Sequence, residues 1–297
     1  MREEPSNRCN PSGWKDPCRF INRYTCSMMK RILITLVVTG LALRSSAKDY
    51  PASLFGIHSD GQTLNTRSIQ FAIDYIHQQG GGRLVFDVGR YLTGTIRLKS
   101  NVFLHLREGA VILGSLQPFD YERDGFTGLI LAKGQQHIGV TGQGMIDGQG
   151  REVARNTVDL IHKGLISDPL RNDRANEAIR PMLIYFRECG DVEVRGILLR
   201  NAAVWVQTYD QCRKVIIDSV TVDSRAYWNN DGMDIVDCED VVISHCQIDA
   251  ADDGICLKSH DPARSCRNIL VRDCTIRSSA NGIKFGTASW GGFQQVK

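Results

Sequence analysis

The chain has 297 residues, 42% of them hydrophobic, which is enough for one sizeable core. Its net charge is +3 with no block of Lys and Arg, which argues against a nucleic-acid partner. Its apolar run, Ile32 to Leu43, is too short to span a bilayer comfortably, so no stable membrane insertion is expected.

Residues 1–28 are polar, carry Cys9, Cys18 and Cys26, and show no period. A secretory signal follows them and should itself begin a protein, so 1–28 read as an untranslated or non-native extension. From Met29, Lys30 and Arg31 form a charged start, Ile32 to Leu43 an apolar stretch, and Ser45-Ser46-Ala47 a small-residue cleavage site. Residues 29–47 therefore read as a Sec signal peptide, and the product as periplasmic or extracellular. No cysteine stands at the cleavage site to carry a lipid. Residues 48–297 form the expected single domain.

The first regular element in that domain is a helix in "LNTRSIQFAIDYIHQQGGG". Asn65 or Thr66 can cap its start. Ile69, Ala72, Ile73 and Ile76 form one apolar face, and Gly80 to Gly82 end it. Next come short alternating strands that recur. "DVEVRGILLRN" (191–201), "KVIIDSVTVDS" (214–224), "DVVISHCQIDA" (240–250) and "NILVRDCTIRS" (268–278) share one form and start 23, 26 and 28 residues apart. "NVFLHLREGAVILGS" (101–115) and "HIGVTGQGMIDGQG" (137–150) look like earlier turns of the same kind. A repeat of this length cannot bury its own apolar face and must stack on the next. With no helical segment expected between the strands, the fold is an all-β, right-handed parallel β-helix capped by the N-terminal helix. The alternative, a β-sandwich, needs hairpin turns that the long, variable loops do not supply. The chain stops in "GGFQQVK", which reads as the start of another rung, so C-terminal rungs are expected to be missing.

Seven cysteines lie in the domain: Cys189, Cys212, Cys238, Cys246, Cys256, Cys266 and Cys274. An odd number cannot all pair, and their periodic spacing suits small apolar core residues. A Cys256–Cys266 bridge is the one disulfide considered. No C-x-x-C spacing appears, and no metal or cofactor is expected.

Aligned on their leading glycines, "NNDGMDIVDC", "ADDGICLKS" and "ANGIKFGT" place Met233, Ile255 and Ile283 in one column, and Ile235, Leu257 and Phe285 in another. Asp231, Asp253 and Asn281 then fall in register just before their strands, with Asp252 beside them. Parallel rungs lie about 4.8 Å apart. A single Asp-Gly is ordinary turn chemistry. Three carboxylates stacked at this spacing repel one another and raise at least one pKa. A protonated carboxyl beside an ionised one is what glycoside hydrolysis uses.

At these residues the chain resembles glycoside hydrolase family 28, the polygalacturonases and their relatives. Asn229-Asn230-Asp231-Gly232 is similar to that family's Asn-Thr-Asp-Gly motif, and Ala251-Asp252-Asp253 to its Gly-Asp-Asp, at the expected spacing. "SDGQTLNTRSIQFAI", "GGGRLVFDVGRYLTGTIRLKSNVFLHLREGAVILGS" and "GQGMIDGQG" also resemble bacterial members, so the likeness covers about Tyr50 to Lys297. It implies a right-handed parallel β-helix and an inverting hydrolase of pectic polysaccharide. By motif position, Asp252 is the general acid, Asp231 and Asp253 activate water, and Asn229 orients substrate. Two departures stand out. The family's Gly-His-Gly matches Ala280-Asn281-Gly282, where Asn281 can bind substrate by hydrogen bonds but cannot titrate near neutrality. The family's later Arg-Ile-Lys motif has no match.

Lys258 is a candidate ligand for a uronate carboxylate; Lys284 reads as a ladder partner of Asp234, which shares its column. His260 reads as a turn residue that could stand in for the missing histidine. Tyr227 and Trp228 can stack on a sugar face. Two further functions remain open: a calcium-dependent pectate lyase, in which the aspartates hold Ca²⁺, and an inactive glycan-binding β-helix. A monomer is expected.

Overall fold

The computed structural model of the chain describes residues 48–168 and 173–297. The expected extension and signal peptide lie outside the described residues. Strands wind through three sheets of nine, seven and eight strands. One coil shows the plan. Arg213–Asp218 lies in the first sheet, Thr221–Ser224 in the second and Met233–Val236 in the third; Glu239–Ser244 then stacks in parallel on Arg213–Asp218. Pairing is parallel throughout these sheets, apart from the antiparallel contact of Glu122–Asp124 with Phe126–Lys133. Parallel crossovers of this kind wind right-handed. The four repeats read from the sequence supply the strands of the first two sheets in successive coils.

Alternation explains the core. Val192, Val194, Val215, Ile217, Val241 and Ile243 point inward and are fully or almost fully buried, while Ile216 on the opposite face is 40% exposed. Each such buried side chain stabilises the coil by about 1.5–3 kcal/mol. The corner between the first and second sheets requires a left-handed residue in each coil. Gly196, Ser219, His245 and Asp273 fill it, with φ between 53° and 74°. Glycine and short polar side chains tolerate that region best.

Helix α1 (Thr66–Gln78) packs on the strands Gly82–Phe86, Ile96–Arg97 and Val102–Leu106 at the N-terminal end, with Ile69, Ala72, Ile73 and Ile76 buried. It ends as the glycines imply: Gly80 N–H donates to the His77 carbonyl (3.0 Å) and Gly81 N–H to the Ile76 carbonyl (2.9 Å). Its start differs from expectation. The Asn65 side chain makes no capping bond and instead clamps the preceding loop, accepting from His58 N (2.8 Å) and donating to the His58 carbonyl (2.9 Å). Thr66 Oγ1 accepts from Gly94 N (2.8 Å).

A second helix, α2 (Gly150–His162), overturns the expectation of strands without helices between them. Its apolar face, Val153, Ala154, Thr157 and Ile161, is short and contains a threonine, so the helical period is weak in the sequence. The Cys256–Cys266 bridge does not form, and all seven cysteines are free. Cys189, Cys212, Cys238 and Cys266 stack in successive coils where the third sheet turns into the first. Cys256 lies in a strand of the third sheet and donates to the Gly286 carbonyl (3.0 Å), while Cys266 Sγ donates to the Ile235 (3.3 Å) and Lys258 (3.1 Å) carbonyls.

Candidate active site

The register read from the two Asp-Gly motifs holds. Met233 pairs with Ile255 and Ile255 with Ile283; Ile235 pairs with Leu257 and Leu257 with Phe285. Gly232 N donates to the Asp253 carbonyl and Gly254 N to the Asn281 carbonyl, both at 2.8 Å, so Asp231, Asp253 and Asn281 lead three stacked strands. Both glycines are required by close approach: a Cβ on Gly232 would lie 2.6 Å from the Gly254 carbonyl oxygen, and one on Gly254 2.6 Å from that of Gly282. Asp-Gly recurs here because rungs at this corner leave no room for a side chain after the aspartate.

Asp231, Asp252 and Asp253 line a cleft of about 510 Å³ together with Asn229, Lys258, Lys284, His260, Trp205 and Trp290. The aspartates are not equivalent. Asp231 and Asp253 are buried, and Asp252 is half-buried. Asp253 accepts from Asn281 Nδ2 (2.7 Å) and Lys284 Nζ (2.8 Å). Burial alone would raise its pKa, but the lysine and asparagine bonds outweigh it and hold the carboxyl below the usual range. Asp231 moves the opposite way. Burial raises its pKa, and the charge of Asp234 adds to this against the opposing pull of Lys258. Lys258 Nζ lies 3.5 Å from Asp231, is hydrogen-bonded to Asp234, and sits 4.1 Å from the centre of the Trp205 ring. Burial raises Asp234 too.

This arrangement differs from the Asp234–Lys284 ladder read from the sequence. Asp234 and Lys284 do share a column, but Cys256 separates them by a rung. Each lysine instead reaches diagonally to the preceding coil, Lys258 to Asp234 and Lys284 to Asp253. Lys258 is thus neutralised beneath the cleft, while Lys284 is the more exposed cation. His260 lines the cleft, and its backbone N–H donates to Asp237 (3.0 Å). Asp234 appeared in the sequence only as a ladder residue; it is fully buried and its cation, Lys258, comes from outside its column, which no local pattern reveals.

Arg180 was also missed. It is fully buried and donates to the Ala203 and Trp228 carbonyls (both 2.8 Å) and to Asn229 Oδ1 (2.9 Å). Asn229, held with φ 56°, is thereby oriented from below. Asn230 fastens the same loop: its Oδ1 accepts from Ser224 Oγ and from the backbone N–H groups of Ala226 and Tyr227, and its amide donates to the Ala202 and Val204 carbonyls. The sequence signal was an isolated Arg far from the motifs, with nothing to mark its partner.

Asp231, Asp234 and Cys256 form the one described group with metal-capable atoms close together, within 4.8 Å of one another. Lys258 already contacts both carboxylates, and a thiol in the set departs from the all-oxygen ligands of calcium. A larger groove, about 830 Å³, runs over the outer face of the first sheet, but its Arg195 is paired with Glu193 and Asp218 and its Arg107 with Asp87. Among the described residues, no helix is long and apolar enough to cross a membrane.

Known proteins resemble this chain in sequence and in fold. A Vitis vinifera protein named "Probable polygalacturonase" is 27% identical over 90% of this chain and 57% of its own length, so the chain spans little more than half of that relative. A Parabacteroides merdae structure, assigned provisionally as a glycosyl hydrolase, is 35% identical with a TM-score of 0.66, covering 81% of this chain and 96% of that one. An exopolygalacturonase from Thermotoga maritima is 26% identical with a TM-score of 0.70 over 84% of this chain and 65% of its own. Residues 87–297, which hold most of the coil and every carboxylate of the cleft, match the family model described as glycosyl hydrolases family 28, and the chain belongs to that family.

Proposed function

We propose that the protein hydrolyses O-glycosidic bonds of a pectic polysaccharide, with inversion at the anomeric carbon. The observation that carries this reading is the opposed pair of carboxylates on adjacent rungs at one edge of the coil: Asp253 is held ionised and Asp231 is pushed toward its protonated form. Environments that drive neighbouring carboxyls apart decide which of them can accept a proton from water. Asp253 accepts the proton of the attacking water. Asp231 carries a proton at moderate pH and donates a hydrogen bond that orients that water, which refines its expected role as a second base. Asp252, half-buried and open to the cleft, protonates the leaving oxygen. Asn229 and Asn281 contact sugar hydroxyls at the rim, and Lys284 offers the charge for a uronate carboxylate. The 29–47 pattern supports export of such an enzyme, which suits a polymeric substrate.

The test is turnover of polygalacturonate by the expressed chain and by Asp252→Asn. We expect reducing ends to appear without unsaturated, ultraviolet-absorbing products, activity to survive a chelator, and the first-formed anomer to be inverted by NMR. Asp252→Asn should lower kcat by roughly 10²–10⁴-fold. Unsaturated products lost on chelation would assign a lyase instead, and binding without turnover by the wild-type chain would assign an inactive glycan-binding coil.

A further inference from the structure

We propose that the family 28 cleft continues into a second, cationic subsite that binds another uronate of the same polysaccharide, formed by Arg151 and Arg155 of α2 together with Trp228. The proposal rests on the hydrolase reading above and extends it to the neighbouring sugar.

A second cleft of about 510 Å³ lies between the N-terminal half of α2 and the 225–229 loop, and it shares Asn229 and Asp252 with the carboxylate cleft. A ligand spanning the two therefore passes directly over Asp252. Arg151 and Arg155 line it, are exposed, and make no ion pair among the described residues. They stand four residues apart on one helix face, where like charges destabilise. Arg151 also lies in the first turn, where the helix dipole disfavours a cation. Two local rules are broken side by side at the lip of a cleft, and such lapses concentrate where a ligand supplies the compensation.

The third arginine of the cleft shows what a structural role looks like. Arg225 donates to Asp249 (2.9 Å), to the Ala250 carbonyl (3.3 Å) and to Ser279 (2.8 Å), so its charge is already neutralised and it serves as wall. Trp228 is 63% exposed, yet its backbone is not free, because Arg180 binds its carbonyl. The Arg174 guanidinium lies over the Trp228 ring, 5.6 Å from the centre, and the rest of this exposed ring beside a polar cleft is a stacking surface for a sugar. Two unpaired guanidinium groups beside it match a carboxylate on that sugar, since guanidinium recognises carboxylate through paired N–H donors.

The experiment is calorimetric titration of tetragalacturonate, and of its fully methyl-esterified form, into the wild-type chain and into Arg151→Gln/Arg155→Gln. Both side chains are exposed, so the double variant should fold; circular dichroism confirms that, and Arg151→Lys/Arg155→Lys should keep part of the affinity. We expect about tenfold weaker binding of the acid oligomer by the glutamine variant, a shallower salt dependence, and no change for the ester. Equal affinity of wild type and variant for the acid, or an equal loss for acid and ester, overturns the subsite. Absence of any binding and turnover by the wild type overturns the hydrolase reading with it, whereas a turning-over wild type with an unaffected variant removes the subsite alone.

Discussion

Two charged regions of the coil make opposite use of the same residues. On the outer face of the first sheet, charges pair across rungs at the surface: Arg83 with Asp49 (2.7 Å), Arg195 with Asp218 (2.5 Å), Arg267 with Glu239. Their side chains remain between 15% and 50% exposed, so water and salt screen them. At the leading edge of the third sheet, Asp234 is fully buried, Asp253 is 2% exposed, and Lys258 must serve two aspartates. The first arrangement tolerates loss of a partner. The second does not, because each charge is removed from the water that would otherwise replace its partner. A surface ladder therefore reports on the fold, and a buried, crowded cluster reports on chemistry.

The sharpest way to break that contrast is Lys258→Met. It leaves Asp231 and Asp234 buried with no cation between them, and it should destabilise the protein by about 3–5 kcal/mol at pH 7 in denaturant titration. The sign of its pH dependence follows from the raised pKa values of both acids. A carboxyl whose folded pKa is raised contributes stability that is complete below the ordinary carboxylate range and lost as pH rises through the folded value. Removing Lys258 raises both further, so the deficit of the variant should shrink as pH falls toward 4. A deficit that is flat with pH would mean that Lys258 acts by packing on Trp205 alone.

Gly254→Ala comes next. The added methyl would press on the Gly282 carbonyl oxygen and the Ile276 side chain, and overpacking of this kind costs about 1–3 kcal/mol. The same shift would spread Asp253 from Asn281, so activity should fall by more than stability implies. Much of this corner was legible in advance. The glycines fixed the alignment, the alignment fixed which side chains share a column, and the repeats of 191–278 gave the coil. What the sequence did not disclose were contacts made diagonally or from far away. Lys284 skips its expected partner Asp234 because two rungs are too far for one side chain to bridge, and Lys258 takes that aspartate from the adjacent rung. Arg180 reaches Asn229 across 49 positions of chain. Helix α2 was hidden by a four-residue apolar face in an otherwise charged segment, and the cationic subsite was hidden with it.

Asn281 tests the proton bookkeeping at smaller cost. Its amide and Lys284 together hold the Asp253 pKa below the ordinary carboxylate range. Asn281→Ala removes one of the two donors, so the Asp253 pKa should move up and the acid limb of the pH–rate profile should move up with it. Stability responds with the same sign: a carboxyl with a lowered folded pKa contributes stability that is present above the ordinary value and lost as pH falls through the folded one. The alanine variant should therefore lose stability at neutral pH and converge on wild type in acid. Asn281→His supplies a donor that titrates, and should add near Asp253 an ionisation close to neutrality that asparagine cannot provide. An unchanged acid limb in both variants would transfer control of Asp253 to Lys284.

The smallest effect belongs to the other side of the comparison. Arg267→Ala removes the partner of Glu239 on the first sheet, where the two side chains are 50% and 36% exposed. Exposed pairs of this kind contribute at most about 1 kcal/mol, and the glutamate regains water when the arginine is lost. The expected change is a few tenths of a kcal/mol that fades in 0.5 M salt, with kcat and KM on polygalacturonate unaltered. If Arg267→Ala instead destabilised the coil as severely as Lys258→Met, burial would not be what separates the two regions, and the surface ladder would have to be treated as a cooperative network spanning several rungs.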